Sequence, residues 1–201
     1  MKIVHLIAGI ALSATPSLAE ETAQLDAHEH GVGQLNIAFD ENKIAMELHA
    51  PGADIVGFEY GAKSDADLAA IDGALQTLSD PLGLFSIPEA ASCIVILAHA
   101  ELESENSDHG EEGHDEHDEK GHDDHDGEGH DDHDEAPSHT EFHAEYLLEC
   151  ANLTEISAIT FPYFEIFPNA LELEVQVISD KGATAFEIER DLAKLDLRGI
   201  F

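Results

Sequence analysis

The stretch Gln34-Leu35-Asn36-Ile37-Ala38-Phe39, then Asp40-Glu41-Asn42, then Lys43-Ile44-Ala45-Met46-Glu47-Leu48-His49, decides the fold. Side chains on an extended chain point alternately to opposite faces. Leu35, Ile37 and Phe39 therefore share one face of the first run, and Ile44, Met46 and Leu48 share one face of the second. Two alternating runs joined by a polar turn predict a β-hairpin with one face on a core. Pro51-Gly52 ends it.

Reading onward, Ser64 is placed to cap a helix, with Asp65 and Asp67 in the first turn, where the helix dipole favours them. Leu68, Ile71, Leu75 and Leu78 follow at helical spacing. Pro81 and Pro88 punctuate the next loop, and residues 93–103 form an apolar run that turns into alternation, which predicts a strand. Phe142, Ala144, Tyr146 and Leu148 mark another strand, and Leu171, Leu173, Val175 and Val177 a further one. Asp180-Lys181-Gly182 is a turn into residues 183–188, and the aromatics Phe161, Tyr163, Phe164 and Phe167 read as core. The fold class predicted is α+β: a mainly antiparallel β-sheet with one clear helix and a long disordered His/Asp/Glu-rich loop inserted between two strands.

Reading back to the start, Lys2, the apolar run Ile3–Leu12 and Ser17-Leu18-Ala19 have the form of a secretory signal peptide, which sets residues 1–19 apart. The apolar run is about half of the ~20 residues a spanning helix needs. The chain is thus expected to be exported to the periplasm without membrane insertion. Residues 20–201 are expected to form a single α+β domain, interrupted at 105–139 by a low-complexity insertion that reads as metal-binding. Cys93 and Cys150 read as one disulfide in an oxidising compartment, with two buried free thiols as the alternative. The formal charge of −36 repels nucleic acid and anionic lipid, which require Lys/Arg patches, and attracts cations.

Nine of the fourteen histidines fall between residues 109 and 143. An eight-residue repeat runs GHDEHDEK (113–120), GHDDHDGE (121–128) and GHDDHDEA (129–136). It supplies the pairs His114/His117, His122/His125 and His130/His133, flanked by His109, His139 and His143. Neutral imidazole with carboxylate companions is zinc chemistry. Calcium has no use for imidazole, and copper(I) would want methionine and free cysteine. Nickel and copper(II) remain chemically open. Because imidazole binds metal only when deprotonated, affinity should fall steeply below about pH 6.5.

Candidate ligands also lie outside the repeat. His28 and His30, on alternate positions of an extended chain, point the same way. His49 reads as a solvated residue at the end of a strand. If residues 93–103 pair with 141–150 as a hairpin whose apolar faces match, Ile94 meets Leu148 and His99 lies directly opposite His143, with Glu101 and Glu145 beside them. That register puts Cys93 and Cys150 on opposite faces, so a disulfide then needs a bulge.

Several segments together carry a family resemblance: His28-Glu29-His30-Gly31, QLNIAF at 34–39, IAMELHAPGADIVGFE at 44–59, DPLGLF at 80–85, FHAEYLLEC at 142–150 and FPNALELEVQVISDKGATAFEI at 167–188. With Cys93 and the internal His/Asp/Glu tract, they resemble the ZrgA-like periplasmic zinc-binding proteins across nearly the whole mature chain. One departure is Tyr60, where the family carries histidine after Gly57-Phe58-Glu59; an ordered site using that position is not carried over. The resemblance implies a zinc-binding accessory to zinc uptake, working with an ABC importer or its substrate-binding protein. The reading that follows is a non-enzymatic protein that captures or buffers zinc. Storage or detoxification of zinc, nickel or copper(II) is the alternative, and a metalloenzyme ranks behind both, since no HExxH or comparable signature is present.

Overall fold

A computed structural model describes residues 29–104 and 139–200. The opening hairpin forms as the alternation requires, from β1 (Val32–Asp40) and β2 (Lys43–Pro51), with Leu35 opposite Leu48, Ile37 opposite Met46 and Phe39 opposite Ile44. After the short helix α1 (Gly52–Ile55) comes α2 (Asp65–Leu78). Ser64 caps α2 in a reciprocal box: its hydroxyl accepts from the Asp67 amide at 3.1 Å, and the Asp67 carboxylate accepts from the Ser64 amide at 3.0 Å. The buried line of this helix is Ile71, Ala74 and Leu78, whereas Leu68 is 53 % exposed. Helix α3 (Pro81–Leu84) leads to β3 (Cys93–Ser104), and β4 (Thr140–Cys150) follows. The chain then runs through β5 (Ala158–Thr160), α4 (Tyr163–Ile166), β6 (Glu172–Ser179), β7 (Gly182–Glu189) and β8 (Lys194–Asp196).

Six strands make one sheet in the order β3-β4-β2-β1-β6-β7; β5 and β8 make a separate pair. Every neighbouring pair in the large sheet is antiparallel except β1 and β6. The fold is therefore mostly β-sheet with few helices, largely antiparallel, with one parallel pairing that the hairpin patterns alone do not reveal. One face of the sheet carries Leu35, Ile37, Ile44, Leu48, Phe142, Leu148, Leu173 and Val177, all buried. Each such side chain contributes about 1.5–3 kcal/mol by leaving water. Phe85, Phe161, Tyr163, Phe164 and Phe167 are buried in the same core, and Phe85 meets Tyr146 edge-on at 6.0 Å. The opposite face bears the polar alternates, among them Asn36, Glu47, His49, His143 and Glu145.

The pairing of β3 with β4 corrects the sequence-based register. Cys93 lies opposite Cys150, and the two form the disulfide. An irregularity between Val95 and Leu97 then slides the strand, so Ala98 opposes Tyr146, His99 opposes Glu145 and Glu101 opposes His143. His99 is thus not opposite His143. The cause is the continuous apolar run Ile94-Val95-Ile96-Leu97, whose members are all exposed on the edge strand and so give no alternation to set the register. The extra residue is the bulge that lets the cysteines meet while the apolar positions Ala98, Ala100 and Leu102 stay on the core side.

Gly52, the first residue of α1, is closely surrounded. A Cβ there would lie 2.7 Å from the Phe58 carbonyl oxygen and closer still to the Thr140 hydroxyl, and Thr140 is itself buried. Gly52→Ala is expected to destabilise the fold by about 1–3 kcal/mol through overpacking. A lower urea midpoint with an unchanged slope checks it; an unchanged midpoint would show that Phe58 and Thr140 yield freely.

Candidate metal centre

Three neighbouring strands each place a pair of metal-ligating side chains, two residues apart, on the polar face of the sheet: Glu47 and His49 on β2, Glu141 and His143 on β4, Glu101 and Glu103 on β3. Residues at i and i+2 of a strand share a face. The ladder then aligns the pairs, with His49 opposite His143, Glu47 opposite Glu145 and Glu101 opposite His143. The His49 and His143 rings stack at 4.4 Å.

His143 is the centre, with its side chain only 14 % exposed. Its Nε2 lies 3.4 Å from Glu47 Oε1, and its Nδ1 lies 3.8 Å from Glu101 Oε1 and 3.7 Å from Glu103 Oε1. Nε2 is buried without a hydrogen-bond partner among the described residues. His49 Nε2 lies 3.5 Å from Glu47 Oε1, and its Nδ1 lies 3.6 Å from Glu141 Oε2. A hydrogen bond of this type runs about 2.7–3.2 Å. Two ligand atoms on a tetrahedral zinc with bonds of about 2.0–2.1 Å stand about 3.4 Å apart. The 3.4 Å contact at Nε2 has this spacing, and the two at Nδ1 are a few tenths of an ångström longer. Two three-residue groups, Glu47–His49–His143 and Glu101–Glu103–His143, bring their ligand atoms within 4.8 Å of one another and could hold an ion.

The electrostatics favour a cation. Burial pushes the Glu47 carboxyl up, but the Asn36 amide and the His49 charge outweigh it and hold its pKa below the ordinary value. The Glu141 carboxylate holds His49 above the ordinary 6.5, against burial, and the Glu47 charge adds to this. A proton thus stays on His49 to a higher pH than on a free imidazole, and zinc must displace it. Zinc affinity at this face is expected to fall by roughly tenfold or more between about pH 7.5 and about pH 5.5, from proton competition alone. Calorimetric titration at the two values checks this, and equal affinities would remove His49 from the ligand set.

A second cluster joins the two ends of the described segments. Glu59 Oε2 lies 3.0 Å from His30 Nε2 and 3.0 Å from His139 Nδ1. Burial pushes the Glu59 carboxyl up, and the hydrogen bonds from His139 and His30 bring it below the usual range. Next to it, buried Asp54 accepts the Gly31 amide at 2.7 Å, which pins the backbone beside His30. The distances are those of hydrogen bonds, so this cluster is a clasp in the form described here, with two imidazoles and a carboxylate that also suit a cation.

The structure thus sorts the candidate ligands. His143 is central, and His49, read from sequence as solvated, joins it. His99 is exposed, with Nε2 3.8 Å from Glu101 Oε2, at the margin of the cluster. His30 and His139 meet on Glu59. His28, His109, His114, His117, His122, His125, His130 and His133 lie outside the described residues. Sequence reasoning missed Glu47, Glu59, Glu103 and Glu141. The signal for three of these is the repeated Glu-x-His or Glu-x-Glu spacing on strands that alternation marks. No curated protein matches the chain. Residues 27–197 match the ZrgA family of zinc uptake proteins, a stretch that takes in both clusters and most of the chain, and the chain belongs to that family.

Proposed function

We propose that this protein captures zinc outside the cytoplasm, holds it on the polar face of the sheet at Glu47, His49 and His143, and assists its uptake. The observation that carries this reading is His143: a mostly buried imidazole whose Nε2 lacks a hydrogen-bond partner among the described residues, 3.4 Å from Glu47 Oε1 and stacked on His49. Such a nitrogen is costly to bury unless something else satisfies it, and a cation does so. The family's role in zinc uptake supports the choice of ion. The Cys93–Cys150 disulfide supports an oxidising compartment such as the periplasm. No helix among the described residues is long and apolar enough to cross a membrane. In this reading the histidine tract raises the local ion concentration, the sheet face holds the ion, and a zinc ABC importer or its binding protein receives it.

The test is zinc accumulation by cells lacking the protein, grown in limiting zinc and complemented with wild type or with His49→Ala/His143→Ala. The wild type should restore accumulation and the variant should not. Equal restoration by both would overturn the role of the sheet face. Induction of the protein by excess zinc alone would favour storage over uptake.

A further inference from the structure

We infer that His143 bridges two divalent cations, one held with Glu47 and His49 and the other with Glu101 and Glu103, so that the sheet face takes a pair of zinc ions. This rests on the reading that the face binds zinc at all, and it deepens that reading.

His143 carries two ring nitrogens. They diverge from a single imidazole, and each faces its own carboxylate set: Nε2 toward Glu47 at 3.4 Å, Nδ1 toward Glu103 and Glu101 at 3.7 and 3.8 Å. A histidine that binds one metal ordinarily donates its other N–H to a carboxylate or carbonyl, and that hydrogen bond fixes the ring. Such a bond would measure about 2.7–3.2 Å. Neither contact at Nδ1 is that short, and two carboxylates stand where one acceptor would suffice. Each side of the ring instead faces a group whose ligand atoms lie within 4.8 Å of one another, with His143 common to both.

Charge points the same way. Glu47, Glu101, Glu103 and Glu141 all lie against the two rings. Their combined negative charge is enough to supply ligands to two divalent ions. The β3 bulge produces the arrangement, because the slide after Val95 is what brings Glu101 opposite His143. His99, with Nε2 3.8 Å from the other oxygen of Glu101, stands ready as a further donor on the same side.

Two zinc ions on one imidazole ring would sit about 6 Å apart, given bonds of about 2.0–2.1 Å. Entry of the second ion displaces the remaining N–H proton of His143 to solvent, leaving a bridging imidazolate; zinc keeps its oxidation state. The two ions are unequal. The Glu47–His49 side is more enclosed, and the Glu101–Glu103 side is exposed, so the outer ion exchanges first and becomes the deliverable one.

The test uses the full-length chain with His109, His114, His117, His122, His125, His130 and His133 all replaced by asparagine, to remove the background of the tract. Bound zinc is counted by equilibrium dialysis, in this protein and after adding either His143→Ala or Glu101→Gln/Glu103→Gln. The expected result is a loss of two ions with the first change and one with the second. Glu101 and Glu103 are exposed, so their variant reports on binding even if His143→Ala folds poorly. Nitrogen-15 spectra of labelled histidine should show no proton on either ring nitrogen of zinc-loaded His143. A loss of one ion on His143→Ala and none on the glutamine pair, or a surviving N–H on His143, overturns the bridge and leaves the single-ion reading standing. No loss on His143→Ala overturns that reading as well.

Discussion

Replacing His143 with alanine is expected to weaken zinc binding at the sheet face by about 100-fold or more. Removal of an outer-shell partner alone costs about 10–100-fold in metal affinity, and His143 is the ligand common to both three-residue groups. Alanine at this position keeps β4 intact, because the ring points away from the core and the strand is anchored on the other face by Phe142, Ala144 and Tyr146. The informative control is His99→Ala. In the register expected from sequence these two histidines would be equal partners, and either change would cost the same. In the observed register His99 faces Glu145 across the ladder and touches only the margin of the cluster, so its loss should matter far less. Competition titration against a fluorescent zinc chelator measures both. Equal losses would favour the unbulged pairing.

The second large effect is expected from the disulfide. Cys93 and Cys150 close a loop of 57 residues, which the chain-entropy account equates with about 4 kcal/mol. At about 2–4 °C per kcal/mol for a chain of this size, Cys93→Ala/Cys150→Ala should lower Tm by roughly 10 °C. Native packing adds to the argument. The bridge fastens the first residue of an edge strand to the last residue of β4, at the end of the ladder opposite to the His–Glu cluster. Beyond it the edge strand exposes Ile94, Val95, Ile96 and Leu97, so little apolar burial holds that half of β3 in place. Calorimetric melting with and without reductant checks this in the unmodified protein. An unchanged Tm under full reduction would mean that the ladder alone holds the edge. Zinc should recover part of the loss, because an ion bound to Glu101, Glu103 and His143 ties β3 to β4 from the other end.

The hairpin of β1 and β2, the cap at Ser64 and the inward faces of β4 and β6 were legible from alternation and capping chemistry, because each is a local pattern. The register of β3 was not. Alternation fails through Ile94–Leu97, and a bulge is chosen by the partner strand rather than by its own sequence. The parallel pairing of β1 with β6 was hidden for a related reason, since it joins strands far apart in the chain with no turn to announce it. At the candidate site, His143 stood out with its neighbours in the histidine-rich stretch, while His49 stood alone and read as solvated. What gives His49 its place is the β2–β4 ladder, which sets it opposite His143. The same holds for Glu59, which collects His30 and His139 from distant parts of the chain through tertiary geometry only.

The ladder of β3 and β4 runs through to Ser104 opposite Thr140. The residues that flank the insertion therefore lie at adjacent positions in the sheet. Loop-closure entropy grows only with the logarithm of length, about 0.6 kcal/mol for each doubling. Adding or deleting one eight-residue GHDDHDxx unit changes the stability of the folded body by about 0.2 kcal/mol on that scaling, yet it alters the histidine count by two. The copy number of the repeat is thus nearly neutral for folding. Repeats can then be gained or lost without disturbing the strands that carry the candidate site.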